Sequence, residues 1–264
     1  MNYSMFSWFG YFMNFEDRIK IIADAGFEEA MISWEDEEEP WPIRKEDFPE
    51  IVRKNGLEIT NIHAPFIGYS DIWTASRMEI QPKLQMFKDH LKDCQAFDIP
   101  AMVMHTNDLD EFQPDLDKGL AFFSELADAA EKYNIDLAVE NVSRQHLLTF
   151  LLEQIDAPRF GMCYDSSHDF LEEQNCGRIL KKYKQRIKAL HLSDNDFQAD
   201  RHWIPGEGKI PLNEVMAEIL TVPTIRTLSY EVLANEAWQE KEPRDFARAV
   251  LHSLAINDGK PRQK

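Results

Sequence analysis

Short apolar runs bounded by turn residues alternate with longer runs whose apolar positions recur every three or four residues, and the alternation continues through the whole chain. The first kind reads as strands buried on both faces and the second as amphipathic helices. The strand candidates are Tyr3 to Ser7, Glu29 to Ser33, Glu58 to Ile62, Ala101 to His105, Asp136 to Glu140, Arg159 to Tyr164, Ile187 to Leu192 and Thr227 to Val232. Among the helical runs, Phe15 to Ala25 places Ile19, Ile22 and Ala23 on one stripe and is stopped by Gly26. Asp47 to Lys54 ends at Asn55-Gly56, Leu116 to Tyr133 aligns Leu120, Phe123, Leu126, Ala127 and Ala130, and Phe246 to Leu254 closes the series.

Repeated strand–helix units that fill roughly 250 residues suit a closed (β/α)8 barrel better than an open doubly wound sheet. No glycine-rich phosphate loop follows the first strand, which further weakens the reading as an open dinucleotide-binding sheet. Without a linker, a low-complexity stretch or a composition shift, the pattern predicts one α/β domain, a single TIM barrel over residues 1–256, with a frayed polar tail at 257–264. The connections 64–76 and 193–210 are long for βα loops, and long loops at one end of a barrel are where function collects.

Composition narrows the setting. The 264 residues carry 29 Lys and Arg against 47 Asp and Glu, a formal charge of −18, so the surface attracts cations and repels polyanions such as nucleic acid or anionic lipid. No window approaches the ~18 apolar residues of a membrane span, and the first residues lack the cationic start of a secretory signal. We therefore expect a cytoplasmic protein without a membrane partner, and the sequence is compatible with a homo-oligomer. Cys94, Cys163 and Cys176 form no C-x-x-C pair and are expected to be reduced structural thiols, Cys163 as buried packing. The densest acidic run, Glu35 to Glu39, is expected to be a solvated loop.

The chemistry lies where His, Asp and Glu fall. His63 follows the third strand candidate, His105 ends the fourth, Glu140 the fifth, Asp165 the sixth, His191 the seventh and Glu231 the eighth, and His168, Asp200 and His202 sit in the adjoining loops. In a barrel all these ends converge on one mouth. Imidazoles and carboxylates gathered in one pocket repel or desolvate one another unless a cation balances them, so the pattern predicts a divalent metal site, the alternative being a metal-free acid/base pocket. His90, His146 and His252 fall on helical runs and are expected to carry no chemistry.

These residues and their neighbours resemble the xylose-isomerase-like superfamily of barrels, which includes sugar phosphate isomerases and epimerases and the family 2 apurinic endonucleases. The resemblance rests on Asn61-Ile62-His63-Ala64-Pro65, Met104-His105-Thr106, Val139-Glu140-Asn141, Gly161 to His168, His191-Leu192-Ser193-Asp194, Asp200-Arg201-His202 with Pro205-Gly206-Glu207-Gly208, and Glu231. In the epimerase branch one metal is held by residues matching Glu140, Asp165, His191 and Glu231, and the two glutamates also serve as acid and base. The endonuclease branch binds three zinc ions, and by resemblance His63, His105, His168, Asp200 and His202 would be its additional ligands.

Departures from the endonuclease pattern occur at Met5-Phe6-Ser7, Asp165-Ser166-Ser167-His168 and Glu231-Val232-Leu233, and the mouth loops offer few cations beyond Arg77, Arg144 and Arg201. We therefore read a metal-dependent sugar or sugar phosphate isomerase or epimerase, with proton transfer through a cis-enediolate. An endonuclease-like phosphodiesterase with a multinuclear zinc site and a barrel that binds a metabolite without turning it over remain the alternatives. Three carboxylates and one imidazole form a hard site that favours Mn²⁺, with Mg²⁺ acceptable, whereas the larger histidine set shifts the preference toward Zn²⁺. His168, Arg201, Trp8, Phe66 and Trp73 are the expected substrate contacts, Arg201 for a carboxylate or phosphate and the aromatic rings, with Trp203, for C–H faces of a sugar.

Overall fold

Eight strands run parallel in the computed structural model, which describes residues 1–172 and 177–253. They are β1 (Asn2–Phe6), β2 (Glu29–Ser33), β3 (Glu58–His63), β4 (Ala101–His105), β5 (Asp136–Glu140), β6 (Phe160–Asp165), β7 (Ile187–His191) and β8 (Thr227–Tyr230). From β1 to β7 consecutive strands pair with one another, and β1 also pairs with β8. Between β7 and β8 the ladder reduces to one bridge, where the Leu192 amide donates to the Ser229 carbonyl at 2.9 Å. The sheet thereby curls into the single (β/α)8 barrel that the alternation predicts. Cys176 and the tail from residue 254 lie outside the described residues, so the expected end at residue 256 and the fraying of 257–264 find no counterpart here.

The helices cover the outside because each return segment has one apolar face. Phe15–Ala25 is capped by the Asn14 side chain, which accepts from the Asp17 amide, and it ends on Gly26 at φ 103°, a left-handed conformation that glycine adopts without a steric penalty. Ser76 and Glu79 form a reciprocal cap at the start of Arg77–Ala96. Two helix limits differ from the sequence reading. The helix Phe48–Lys54 follows a 3-10 turn at Lys45–Asp47, and the last described helix begins at Pro243, a residue suited to a first turn.

The connection 64–76 is not open throughout, since Asp71–Thr74 forms a short helix. Its Trp73 is fully buried, donates from Nε1 to the Thr106 carbonyl at 2.7 Å and packs against Phe123. A Cβ on Gly119 would lie 2.2 Å from that indole, so the close approach of the helix Leu116–Tyr133 requires glycine there. Inside the barrel, Val103, Ala138, Cys163 and Ala189 form a layer of small side chains. Register shifts fall at Ala30/Met31 against β3 and at Met162/Cys163 against β7.

Candidate active site

Strand alternation carries the layer of Val103, Ala138, Cys163 and Ala189 to the site. Two residues further along the same strands stand His105, Glu140, Asp165 and His191, which must face the same interior. His63 is the last residue of β3, and Glu231 is one residue past β8. Glu140, Asp165, His191, His63 and Glu231 are all buried. The structure thus brings all the candidate ligands read from the sequence to one end of the barrel.

Glu140 is the hub. Its Oε2 lies 3.3 Å from His63 Nε2, 3.3 Å from His191 Nδ1 and 3.6 Å from His105 Nε2, and its Oε1 lies 3.1 Å from His168 Nδ1. His191 Nδ1 is also 3.0 Å from Glu231 Oε2. Toward the rim, Asp200 Oδ2 meets His168 Nε2 at 3.0 Å and His202 Nε2 at 2.9 Å. Asn141 steadies Asp165 by accepting its backbone amide at 2.6 Å and donating to its carbonyl at 2.9 Å, while an Asp165 oxygen accepts the His168 amide at 2.7 Å.

The electrostatics show what this arrangement demands. Burial alone would raise the Glu140 carboxyl, but the imidazoles of His191, His168 and His63 hold it well below the usual carboxylate range. Glu231 shows the same opposition, with His191 taking it to about 2. Burial dominates at Asp165, which rises to about 6, and at His105, which falls to about 3. At His191 the burial penalty is overcome by Cys163, Glu231 and Glu140, and the ring is held well above its usual range. The carboxylates can stay charged in this dry interior only beside positive charge, from protonated imidazoles or from a bound cation.

Among the described residues five groups could hold a metal, and the chief ones are Glu140, Asp165, His191 and Glu231 at the centre, His63, His105 and Glu140 on one side, and His168, Asp200 and His202 at the rim. Within each group the ligand atoms lie within 4.8 Å of one another. Glu140 Oε1, Asp165 Oδ2, His168 Nδ1 and both ring nitrogens of His191 are buried and, despite the short approaches to neighbouring charged groups, make no well-aligned hydrogen bond. Unpaired lone pairs in such a place are costly unless something coordinates them, so the residues fit a divalent ion. Cys163 is buried beside His191 and Glu140, with which it forms one further group able to hold a metal, and burial first of all pushes its thiol up to about 12.

A cavity of about 550 Å³ opens on the cluster, with His105, His168, Asp200 and Phe66 among its walls. Phe66 stacks on His63 with ring centroids 4.2 Å apart. Asn107 and Ser143, which the sequence reading did not single out, also line the cavity and are joined by a 3.0 Å hydrogen bond. Trp73 does not reach the cavity, because its apolar ring finds a better place under the helix Leu116–Tyr133. Arg201 is turned away toward Asp196 at 3.4 Å and lies over the Trp203 ring. Trp8 faces a neighbouring hollow, with the Arg18 guanidinium over it. The acidic run is a pinned segment, since Glu37 pairs with the buried Arg18 while Glu35, Asp36, Glu38 and Glu39 stay exposed.

Asp194 is the residue that sequence reasoning left without a role. Fully buried, it accepts the amides of Gly206 at 2.8 Å, Gly208 at 3.0 Å and Ile210 at 3.0 Å, so the loop carrying Asp200 and His202 is wound around its carboxylate. A Cβ on Gly208 would lie 2.3 Å from Asp194 Oδ1. The signal in the sequence was the run Pro205-Gly206-Glu207-Gly208, whose glycines permit that close approach.

Comparison with known proteins agrees with this architecture. A family model described as a xylose isomerase-like TIM barrel matches residues 19–250. Fructoselysine 3-epimerase of Escherichia coli O157:H7 is 28% identical over 136 residues, 48% of this chain and 48% of that protein. The chain thus spans about half the length of the first curated relatives it matches. D-psicose 3-epimerase of Clostridium cellulolyticum H10, solved with D-tagatose, superposes with a TM-score of 0.76 at 14% identity over 96% of this chain and 97% of the other. The IolI protein with a bound zinc atom superposes with a TM-score of 0.74 at 14% identity over 96% of each chain. At such identities the superpositions show the fold. No helix among the described residues is long and apolar enough to cross a membrane.

Proposed function

The chain belongs to the xylose isomerase-like TIM barrel family, and from that premise we propose that it is a divalent-metal-dependent isomerase or epimerase of a sugar or sugar phosphate, acting in the cytoplasm. The observation that carries this reading is the buried central group of Glu140, Asp165, His191 and Glu231, whose neighbours His105 and His168 line an open cavity. The names of the epimerase relatives support the same class of reaction.

Bound there, a divalent ion supplies polarisation of the substrate carbonyl and charge to offset the developing enediolate. The hard donor set favours Mn²⁺, with Zn²⁺ or Mg²⁺ acceptable. Glu140 at the end of β5 and Glu231 just past β8 are both held ionised, so either can take the proton from the carbon beside the carbonyl while the other returns one. Asp165 and His191 fix the geometry. His168, with Nδ1 beside Glu140 and Nε2 beside Asp200, is placed to hydrogen-bond a substrate hydroxyl. Phe66 offers a flat face to the sugar, 37% exposed over His63.

A specific observation favours a second reading, because the two flanking groups complete the ligand set of a multinuclear phosphodiesterase. Against it, the three mouth arginines are engaged: Arg77 with Glu125, Arg144 with the Phe112 carbonyl and Arg201 with Asp196. Positive charge free to meet DNA phosphates is thereby reduced. The test is an assay of the metal-loaded protein on a panel of ketoses beside an abasic-site DNA duplex. Chelator-sensitive sugar interconversion supports the first reading, and chelator-sensitive nicking at low protein concentration replaces it with the second.

A further inference from the structure

Beside the catalytic cavity lies a second hollow of about 290 Å³, bounded by the connections that follow β1, β2 and β3. Phe66 lines both cavities, so its ring separates the site over His63 from this neighbour. Four aromatic side chains stand exposed around the hollow: Trp8 at 40%, Phe12 at 74%, Trp41 at 40% and Phe66 at 37%. Phe12 and Trp41 approach with ring centroids 5.2 Å apart. So much aromatic surface around one concavity marks a place that a ligand covers.

The hollow is firmly built. Glu37 and Ile43 exchange backbone hydrogen bonds of 2.9 and 3.0 Å, Asp36 accepts the Lys45 amide at 2.9 Å, and Arg18 holds Glu37. That pairing uses the one basic side chain in the lining and sets it behind the Trp8 ring. Glu35, Glu38 and Glu39 remain on the wall, and among the described residues none of them pairs with a Lys or Arg. Aromatic faces and unpaired carboxylates attract the same kind of group, a cation carried on an apolar stem. A bare sugar presents neither.

Resting on the isomerase reading, we propose that the substrate is a ketose bearing a cationic alkylamine substituent, with the sugar over the Glu140 cluster and the amine between the aromatic rings and the glutamates of this hollow. Phe66 is the shared wall past which the stem would run. The test uses the metal-loaded protein with three probes: fructose, its hexyl ether at the first carbon, and the corresponding aminohexyl ether. Turnover is measured alongside binding read from tryptophan fluorescence. We expect the aminohexyl ether to exceed the hexyl ether by roughly tenfold in both kcat/KM and affinity, the size of a cation–π contact joined to a partly screened ion pair. The double variant Glu35→Gln/Glu38→Gln should bring that ratio close to unity, and Trp41→Ala should weaken both ethers relative to fructose. A ratio near unity in the wild type, or one that survives the double variant, overturns the proposal even if every ketose is turned over. If no ketose is turned over but the binding preference and its loss in the double variant are seen, the subsite stands and the isomerase reading falls.

Discussion

His168 Nε2 and Asp200 Oδ2, 32 residues apart in the chain, meet at 3.0 Å at the barrel mouth. The other nitrogen of the same ring lies 3.1 Å from Glu140 Oε1. One imidazole therefore joins the rim group to the buried central group. The catalytic account places the essential ion in the centre, so the groups should differ in what their loss does.

Elemental analysis checks this directly. Purified protein should carry about one divalent ion per chain, as expected for a centre with a single open catalytic site. Asp200→Asn should keep that ion and Asp165→Asn should lose it. Nearly three zinc ions in the wild type, falling by about one in Asp200→Asn, would instead support the phosphodiesterase reading.

Glu140→Gln and Glu231→Gln should each reduce turnover by roughly a hundred- to ten-thousand-fold, the usual worth of a positioned acid or base. The circular dichroism spectrum should barely change, because both residues sit at the barrel mouth above its packed layer. Near wild-type rates in both variants would remove the acid/base assignment.

Loop 193–210 depends on Asp194, so Asp194→Ala should orphan the buried amide of Ile210 and the half-buried bonds of Gly206 and Gly208, at a cost of about 1–3 kcal/mol. Asp194→Asn, which keeps an acceptor oxygen, should cost clearly less. Gly208→Ala should mimic the alanine variant by forcing the loop off the carboxylate. Urea unfolding separates the variants, and equal stability of Asp194→Ala and wild type would contradict the role.

His90, 3% exposed in the helix Arg77–Ala96, gives a pH-dependent term remote from the cluster. Burial, aided by Lys45, lowers it from the 6.5 of an unfolded histidine to about 4. The unfolded chain therefore takes up a proton that the native protein refuses. The contribution is complete above pH 6.5 and is lost as pH falls toward 4, by up to ~3 kcal/mol. His90→Gln should lose less stability than wild type between pH 7 and pH 4.5. Equal losses would show that His90 does not titrate in this way.

The fold and the central group were legible because both follow from alternation. Once the strands were placed to within a residue or two, the period of two fixed which side chains face inward at the mouth, and Glu140, Asp165 and His191 followed. The places of Trp73 and Arg201 were not legible because loop conformation is set by contacts that no periodicity records. Trp73 found a seat against Gly119, and Arg201 found Asp196. The acidic run was read from its charge alone, which could not reveal that a buried Arg18 pins Glu37 or that its neighbours wall a cavity.

Proton transfer by Glu140 and Glu231 is the central claim, and exchange at carbon tests it most directly. A proton taken by a carboxylate next to His105 and His168, which line an open cavity, equilibrates with solvent in at least some turnovers. Incubation of the metal-loaded protein with its ketose in heavy water should place deuterium on the carbon beside the carbonyl. Interconversion of the sugar with no deuterium uptake would contradict the account, since the hydrogen would then have passed between carbons directly and the two glutamates would serve only as ligands.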